Sequence, residues 1–271
     1  MTAQPLITDA PVGVAPEAAP QSSGAVPPAV QVRGVSQIFT RGAPPVLQGV
    51  DLTVAPGEFV CLLGASGCGK STLLNLIAGL TEPTSGSIAV SAQRPALMFQ
   101  EPALLPWLTA AGNVELALRA RGVGRGARRA EAERLLGLVN LTGAERKRVH
   151  ELSGGMRQRV ALARSLAQDS SVLLMDEPFA ALDAITRDVL HQELTRVWTE
   201  QGLSILFVTH NVREAARLGQ RVVLMGSRPG RVVREWRVDI PQPRTIESPD
   251  VSSLAAEITR ELHKEISRHG Q

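Results

Sequence analysis

Tyrosine is absent from this 271-residue chain, and phenylalanine and tryptophan contribute only five and three residues. A stacking platform for single-stranded nucleic acid needs aromatics interleaved with basic residues, so that class of function is excluded. Charge adds nothing to it: 29 basic side chains stand against 26 acidic ones, a net +3, too mild an imbalance for a phosphate backbone. Cysteine is scarce as well. Cys61 lies in an apolar run and Cys68 in a glycine-rich loop, which makes neither a disulfide framework nor a metal site and fits a reducing compartment. No apolar run approaches the roughly 18 residues that cross a bilayer. The N-terminus has no charged region followed by an apolar core, so neither a membrane span nor an export segment is expected. Lysine is the last shortage, with Lys70, Lys147 and Lys264 the only three in an arginine-rich chain.

One of those three lysines stands where it matters most. Gly64-Ala65-Ser66-Gly67-Cys68-Gly69-Lys70-Ser71-Thr72 separates the apolar run 59–63 from a second apolar run, 73–78, closed by Gly79. The first run reads as a buried strand and the second as a helix. Glycines let successive backbone N–H groups converge on phosphate oxygens at the positive end of that helix. Lys70 then reaches the β- and γ-phosphates, and the Ser71 hydroxyl is placed for Mg²⁺.

Around this loop, 44% apolar content is enough for a full core in one large domain or two small ones. Residues 1–28 carry six prolines spaced so that no helix can run, and read as a disordered tail. Strands are expected at 30–39 and 46–54, with a turn at 41–45. Phe39, at the end of the first, either stacks on a base or fills the core. Further strands are expected at 87–90, 97–99, 172–175, 204–208, 221–225 and, in alternating pattern, 231–240. From Thr109 the pattern turns helical, with a basic stretch from Arg119 to Arg134 that Gly122, Gly124 and Gly126 interrupt as a mobile loop. Pro249 opens a last helix whose stripe is Val251, Leu254, Ile258, Leu262 and Ile266.

Three more stretches carry chemistry. Ser153 is a good N-cap for an apolar helix at 160–167, and Gly154 and Gly155 leave that helix start open to an anion. Asp176 and Glu177 end a fully apolar strand, where ligands bind in open α/β sheets. Asp176 is placed to hold Mg²⁺ through its water shell, and Glu177 to polarise a water opposite the γ-phosphate. His210, at the end of run 204–208, is a candidate donor to the same phosphate.

Taken together these residues resemble the ATP-binding subunit of an ATP-binding-cassette (ABC) transporter over about residues 30 to 245. The carriers are Gly64–Thr72 (Walker A), Gln100 (Q-loop), Leu152-Ser153-Gly154-Gly155-Met156-Arg157-Gln158 (signature), 173–177 (Walker B), Ala181-Leu182-Asp183 (D-loop) and His210 (switch histidine), in family order. The resemblance implies an α/β P-loop NTPase core at 29–245, with a small antiparallel β subdomain and an inserted α-helical subdomain at about 100–167, followed by a C-terminal helix at 246–271. It implies ATP with Mg²⁺, the metal held by Ser71, Gln100 and Asp176. Glu177, His210 and Gln100 form the catalytic set. Nucleotide lies against Phe39, Gly64 through Thr72 and, from a second chain paired head to tail, Ser153, Gly154 and Gly155, with Asp183 linking the two sites. Residues 98–107 and 227–232 are similar to the subunits that drive importers for nitrate, sulfonates and taurine. The implied partners are a second cassette, membrane permease subunits and, indirectly, an extracytoplasmic solute-binding protein, with no nucleic acid. The implied location is the cytoplasmic face of the inner membrane. A soluble ABC-class ATPase uncoupled from transport is the alternative, and the lack of long coiled-coil arms stands against it.

Overall fold

A computed structural model describes residues 26–92, 94–246 and 248–269. Most of the expected tail, residues 1–25, lies outside the described residues. In chain order the strands are β1 (Val30–Gln37), β2 (Leu47–Val54), β3 (Phe59–Gly64), β4 (Ser85–Val90), β5 (Ala96–Met98), β6 (Val172–Asp176), β7 (Ser204–Val208), β8 (Arg221–Gly226) and β9 (Arg231–Arg237). The helices are α1 (Lys70–Ile77), α2 (Ala110–Ala120), α3 (Arg125–Leu138), α4 (Gly154–Leu166), α5 (Ala184–Gln201), α6 (Val212–Leu218) and α7 (Pro249–His269).

Two sheets organise the chain: a small antiparallel one, β2-β1-β4, and a larger one, β5-β6-β7-β3-β8-β9, parallel except for β9. The parallel strands are apolar throughout because both faces are covered. Alternation sorts their side chains between two cores. Phe59, Cys61, Leu63, Leu173, Met175, Ile205 and Phe207 join the core that α2 to α5 complete. Val60, Leu62, Leu174, Leu206 and Val208 join the core shared with α1 and the small sheet. Helices α2 and α3 pack on each other and on α4, beyond the β5 edge.

Several sequence expectations need correction. Strand β1 ends at Gln37, because the Ile38 N–H turns to the Thr84 hydroxyl at 3.0 Å; Phe39 lies past the strand and is 62% exposed, so the core reading of its ring fails. The glycine-interrupted basic stretch is no long loop: Gly122 supplies one left-handed turn, and Gly126 is already inside α3. Strand β9 stops at Arg237 rather than 240. In α7 the stripe holds through Val251, Leu254, Ile258 and Leu262, but Ile266 is exposed. Helices α5 and α6 had no counterpart in the sequence reading.

Candidate functional site

The carboxyl ends of three neighbouring strands, β3, β7 and β6, make the site. From β3 the chain runs through the glycine loop into α1, whose first residue is Lys70. Gly67 and Gly69 hold φ of +78° and +96°, values that a side chain would oppose. Lys70 is buried, and its Nζ donates to the Gly64 carbonyl at 2.8 Å and the Ala65 carbonyl at 3.1 Å, with the Cys68 sulfur 3.8 Å away. Burial pushes the Cys68 thiol above its ordinary range even beside that ammonium. Ser66 and Gly67 are exposed at the mouth of the loop, Ala65 and Thr72 half-buried.

At the end of β6, Asp176 lies close enough to Ser71, the second residue of α1, to feel its hydroxyl. Burial raises the Asp176 carboxyl above its usual range, and the Ser71 contact offsets only part of that. A half-buried carboxylate beside a hydroxyl, at the mouth of a phosphate-type loop, fits one octahedral Mg²⁺ that completes its shell with phosphates and water. Among the described residues no group of three His, Cys, Asp or Glu side chains forms a closed cage for a metal.

One residue on, Glu177 has φ +44°, in the left-handed region that a non-glycine residue occupies at a cost of about 1–3 kcal/mol. Two contacts keep it there. Its N–H donates to the Val208 carbonyl at 3.0 Å, and its Oε2 lies 2.8 Å from His210 Nδ1. His210 is well exposed and Glu177 only partly so. One carboxylate oxygen is therefore fixed by the imidazole, and among the described residues the other has no hydrogen-bond partner.

Among the described residues, no hydrogen bond joins the remaining sequence candidates to this cluster. Ser153 caps α4 by accepting the Met156 N–H at 3.3 Å, and its hydrogen bonds stay within its own helix. A Cβ on Gly155 would meet Thr186 Cγ2 at 2.4 Å, so the helix start sits directly on α5. Gly154 has room, its nearest neighbour being Leu182 Cδ2 at 3.6 Å. Asp183 caps α5 through the Thr186 N–H, which holds its fully exposed carboxyl below the usual range. The Gln100 side chain is exposed, and no hydrogen bond joins it to Ser71 or Asp176 among the described residues. Its carbonyl accepts from Gln158 Nε2 of α4 at 3.0 Å.

Two supports escaped the sequence reading. Gly230 backs the phosphate-type loop so closely that a Cβ there would meet the Cys68 carbonyl at 2.2 Å, and its N–H donates to the Val46 carbonyl at 2.9 Å. Half-buried Arg164 of α4 donates to the Ala103 and Pro102 carbonyls at 2.7 Å each. Gly230 was legible as a turn glycine. Neither contact is local enough for sequence spacing to reveal.

A family model described as ABC transporter matches residues 47–180. The taurine import ATP-binding protein of Burkholderia pseudomallei (strain 1710b) is 48% identical over 206 residues, 73% of this chain and 79% of that protein. The nitrate import ATP-binding protein of Synechocystis sp. is 44% identical over 221 residues, covering 78% and 83%. Among solved structures, the dimeric structure of a bacterial ABC transporter cassette superposes with a TM-score of 0.69 at 32% identity, covering 78% of this chain and all of that one. A post-hydrolysis dimer of that cassette, bound to ADP and Pi, superposes equally well.

Proposed function

The chain belongs to the ABC transporter family, as an ATP-binding and ATP-hydrolysing subunit of an importer, and from that premise we propose how its own residues divide the work and what it helps to import. The observation that carries the reading is the Glu177–His210 contact at the ends of β6 and β7, beside the Lys70 loop on β3. In this reading the loop N–H groups and Lys70 bind the β- and γ-phosphates, and the exposed Phe39 ring stacks on the adenine. Ser71 and Asp176, with Gln100 on the same side, would hold Mg²⁺, which supplies charge neutralisation on the phosphate oxygens.

Glu177 orients the attacking water and takes its proton while the water oxygen bonds to the γ-phosphorus and the bridging P–O bond breaks, giving ADP and phosphate. His210 fixes the carboxylate and lies within reach of the γ-phosphate. A single chain cannot bring Ser153, Gly154 and Gly155 to the same nucleotide. A second chain, paired head to tail, places its own α4 start there, and Asp183 links the two sites. The dimeric relatives support this arrangement.

Permease contact falls to the face around residues 102–107. Trp107 is 68% exposed there, and Leu80, Leu97 and Phe99 line a groove of about 1100 Å³ nearby. No described helix is long and apolar enough to cross a membrane. In this reading the subunit sits peripherally at the cytoplasmic face of the inner membrane. The relatives' names point to taurine, sulfonates or nitrate as the solute class, delivered by a separate binding protein.

Glu177→Gln tests the reading. The substitution is nearly isosteric, so nucleotide affinity should stay within about twofold while turnover falls by the 10²–10⁴-fold typical of a lost general base. The ATP-bound dimer should then persist through size-exclusion chromatography. Undiminished hydrolysis would move the catalytic role away from Glu177.

A further inference from the structure

Behind the Glu177–His210 pair runs a chain of polar groups that the reaction as described does not use. Thr209, Glu214 and His191 are 3%, 5% and 1% exposed. The Thr209 hydroxyl donates to Glu214 Oε2, and Glu214 Oε1 lies 2.6 Å from His191 Nε2. Thr209 Oγ1 in turn accepts the Asn211 N–H at 3.0 Å. The donors run in one direction, from Asn211 through Thr209 to Glu214, with His191 closing the other end.

The tautomer follows from the same geometry. His191 Nδ1 is buried without a hydrogen-bond partner. A buried N–H left unpaired costs more than an unpaired lone pair, so the ring carries its proton on Nε2 and donates it to Glu214.

This chain reaches both loops of the candidate catalytic pair. Thr209 is the residue before His210, and its N–H is held by the Leu62 carbonyl of β3 at 3.1 Å. On the other side the His191 ring packs against Phe179, two residues past Glu177, with centroids 5.6 Å apart. An apolar filling of the same space would cost less desolvation. What hydrogen bonds add is direction, because they fix the angle at which the strand end leaves the sheet.

We propose that Thr209, Glu214 and His191 are positioning residues for ATP hydrolysis: their buried hydrogen-bond chain sets the strand end that presents the His210 ring to Glu177. The proposal rests on the reading of Glu177 and His210 given above. The three residues are at most 5% exposed and act through the position of His210 and Glu177, so their loss should lower kcat and leave nucleotide binding alone.

The test uses the full chain, with steady-state ATPase kinetics, ADP titration and thermal melts on Thr209→Val and Thr209→Ser. Glu177→Gln runs beside them as the reference for the catalytic reading. Thr209→Val keeps the shape and removes the donor. Its kcat should fall about tenfold or more, since small misplacements near reacting groups cost up to 10², with KM for ATP and ADP affinity within twofold. Thr209→Ser restores the hydroxyl and should recover kcat to within about threefold of the parent. Wild-type kcat in Thr209→Val, with Glu177→Gln inactive, overturns the positioning role alone. Full turnover in Glu177→Gln overturns the catalytic reading and this proposal with it. Thr209→Ser falling as far as Thr209→Val, or KM rising as kcat falls, shows a merely structural role and also overturns it. If Thr209→Val does not fold, His191→Phe against His191→Gln decides by the same criteria, because the amide keeps a donor that phenylalanine lacks.

Discussion

Lys70 carries a positive charge into a site where, among the described residues, its Nζ has two carbonyl oxygens and a thiol as hydrogen-bond partners. Those neutral partners leave the charge available to phosphate. Charge-assisted hydrogen bonds contribute about 1.5–3 kcal/mol each. Losing two of them in Lys70→Ala should weaken ATP binding by about 100-fold or more. Equilibrium titration with ATP checks this, and parental affinity in the variant would remove Lys70 from the phosphate site. At this scale the sequence was most informative where chemistry demands one residue type at one spacing, as in Gly67, Gly69, Lys70 and Ser71. It was least informative where exposure decides. Nothing in the residues around Phe39 tells an exposed ring from a core one; only the early end of β1 does. The positive φ of Glu177 and the buried chain behind His210 were equally invisible, since the first sits where β6 and β7 end together and the second needs α5 and α6 to meet.

Helix α4 joins the signature turn to the rest of the molecule by contacts at each end. Its start sits on Thr186 of α5, and Gln158 and Arg164 tether it to the carbonyls of Gln100, Pro102 and Ala103. Gly155→Ala puts a methyl group 2.4 Å from Thr186 Cγ2, a clash that a stiff β-branched side chain cannot relieve. Overpacking of this kind costs about 1–3 kcal/mol. Adding Thr186→Ser removes the clashing methyl and should restore the melting temperature. Turnover should stay low in the double variant, because the added Cβ still stands at the helix start proposed to face a partner's phosphate. Recovery of both together would show that Gly155 serves packing only. Helix α4 was legible from its Ser-Gly-Gly start and apolar run. Its neighbours were harder for different reasons. In α5 the buried stripe of Leu190, Leu194 and Val197 is blurred by Ile185, 80% exposed, and by Val189. Helix α6 spans seven residues and buries even Glu214 and Arg217, so it shows no polar face to set a period.

At the scale of the whole molecule, the two cores divide labour across the larger sheet. The phosphate-type loop and α1 belong to the core on the small-sheet side, whereas α7 closes the opposite side. Val251, Ala255 and Ile258 bury against Ala216 of α6 and the main core. Glu257 accepts from both Arg234 and Trp236 Nε1 of β9, at 2.8 and 2.9 Å. The amphipathic stripe announced that this helix needs a partner, but which surface it covers depends on where α6 and the β8–β9 hairpin meet, which no local pattern encodes. Ending the chain at residue 246 should therefore have a lopsided effect. Exposing the surface that Val251 and Ile258 cover forfeits about 1.5–3 kcal/mol for each fully buried aliphatic side chain. In a domain of this size each kcal/mol moves Tm by about 2–4 °C, so the melting temperature should fall by roughly 10 °C. ATP affinity should hold within about twofold, because Lys70, its loop and α1 lie on the sheet's other face and lose no contact. Turnover should fall further than affinity, since α6 begins at the residue after Asn211 and loses its apolar cover next to the strand end that carries His210. A thermal melt and an ATP titration on the same truncated chain separate these outcomes: an unchanged Tm would mean that α7 does not pack on α6 in solution, and a matching loss of affinity would mean that the two faces of the sheet are not independent.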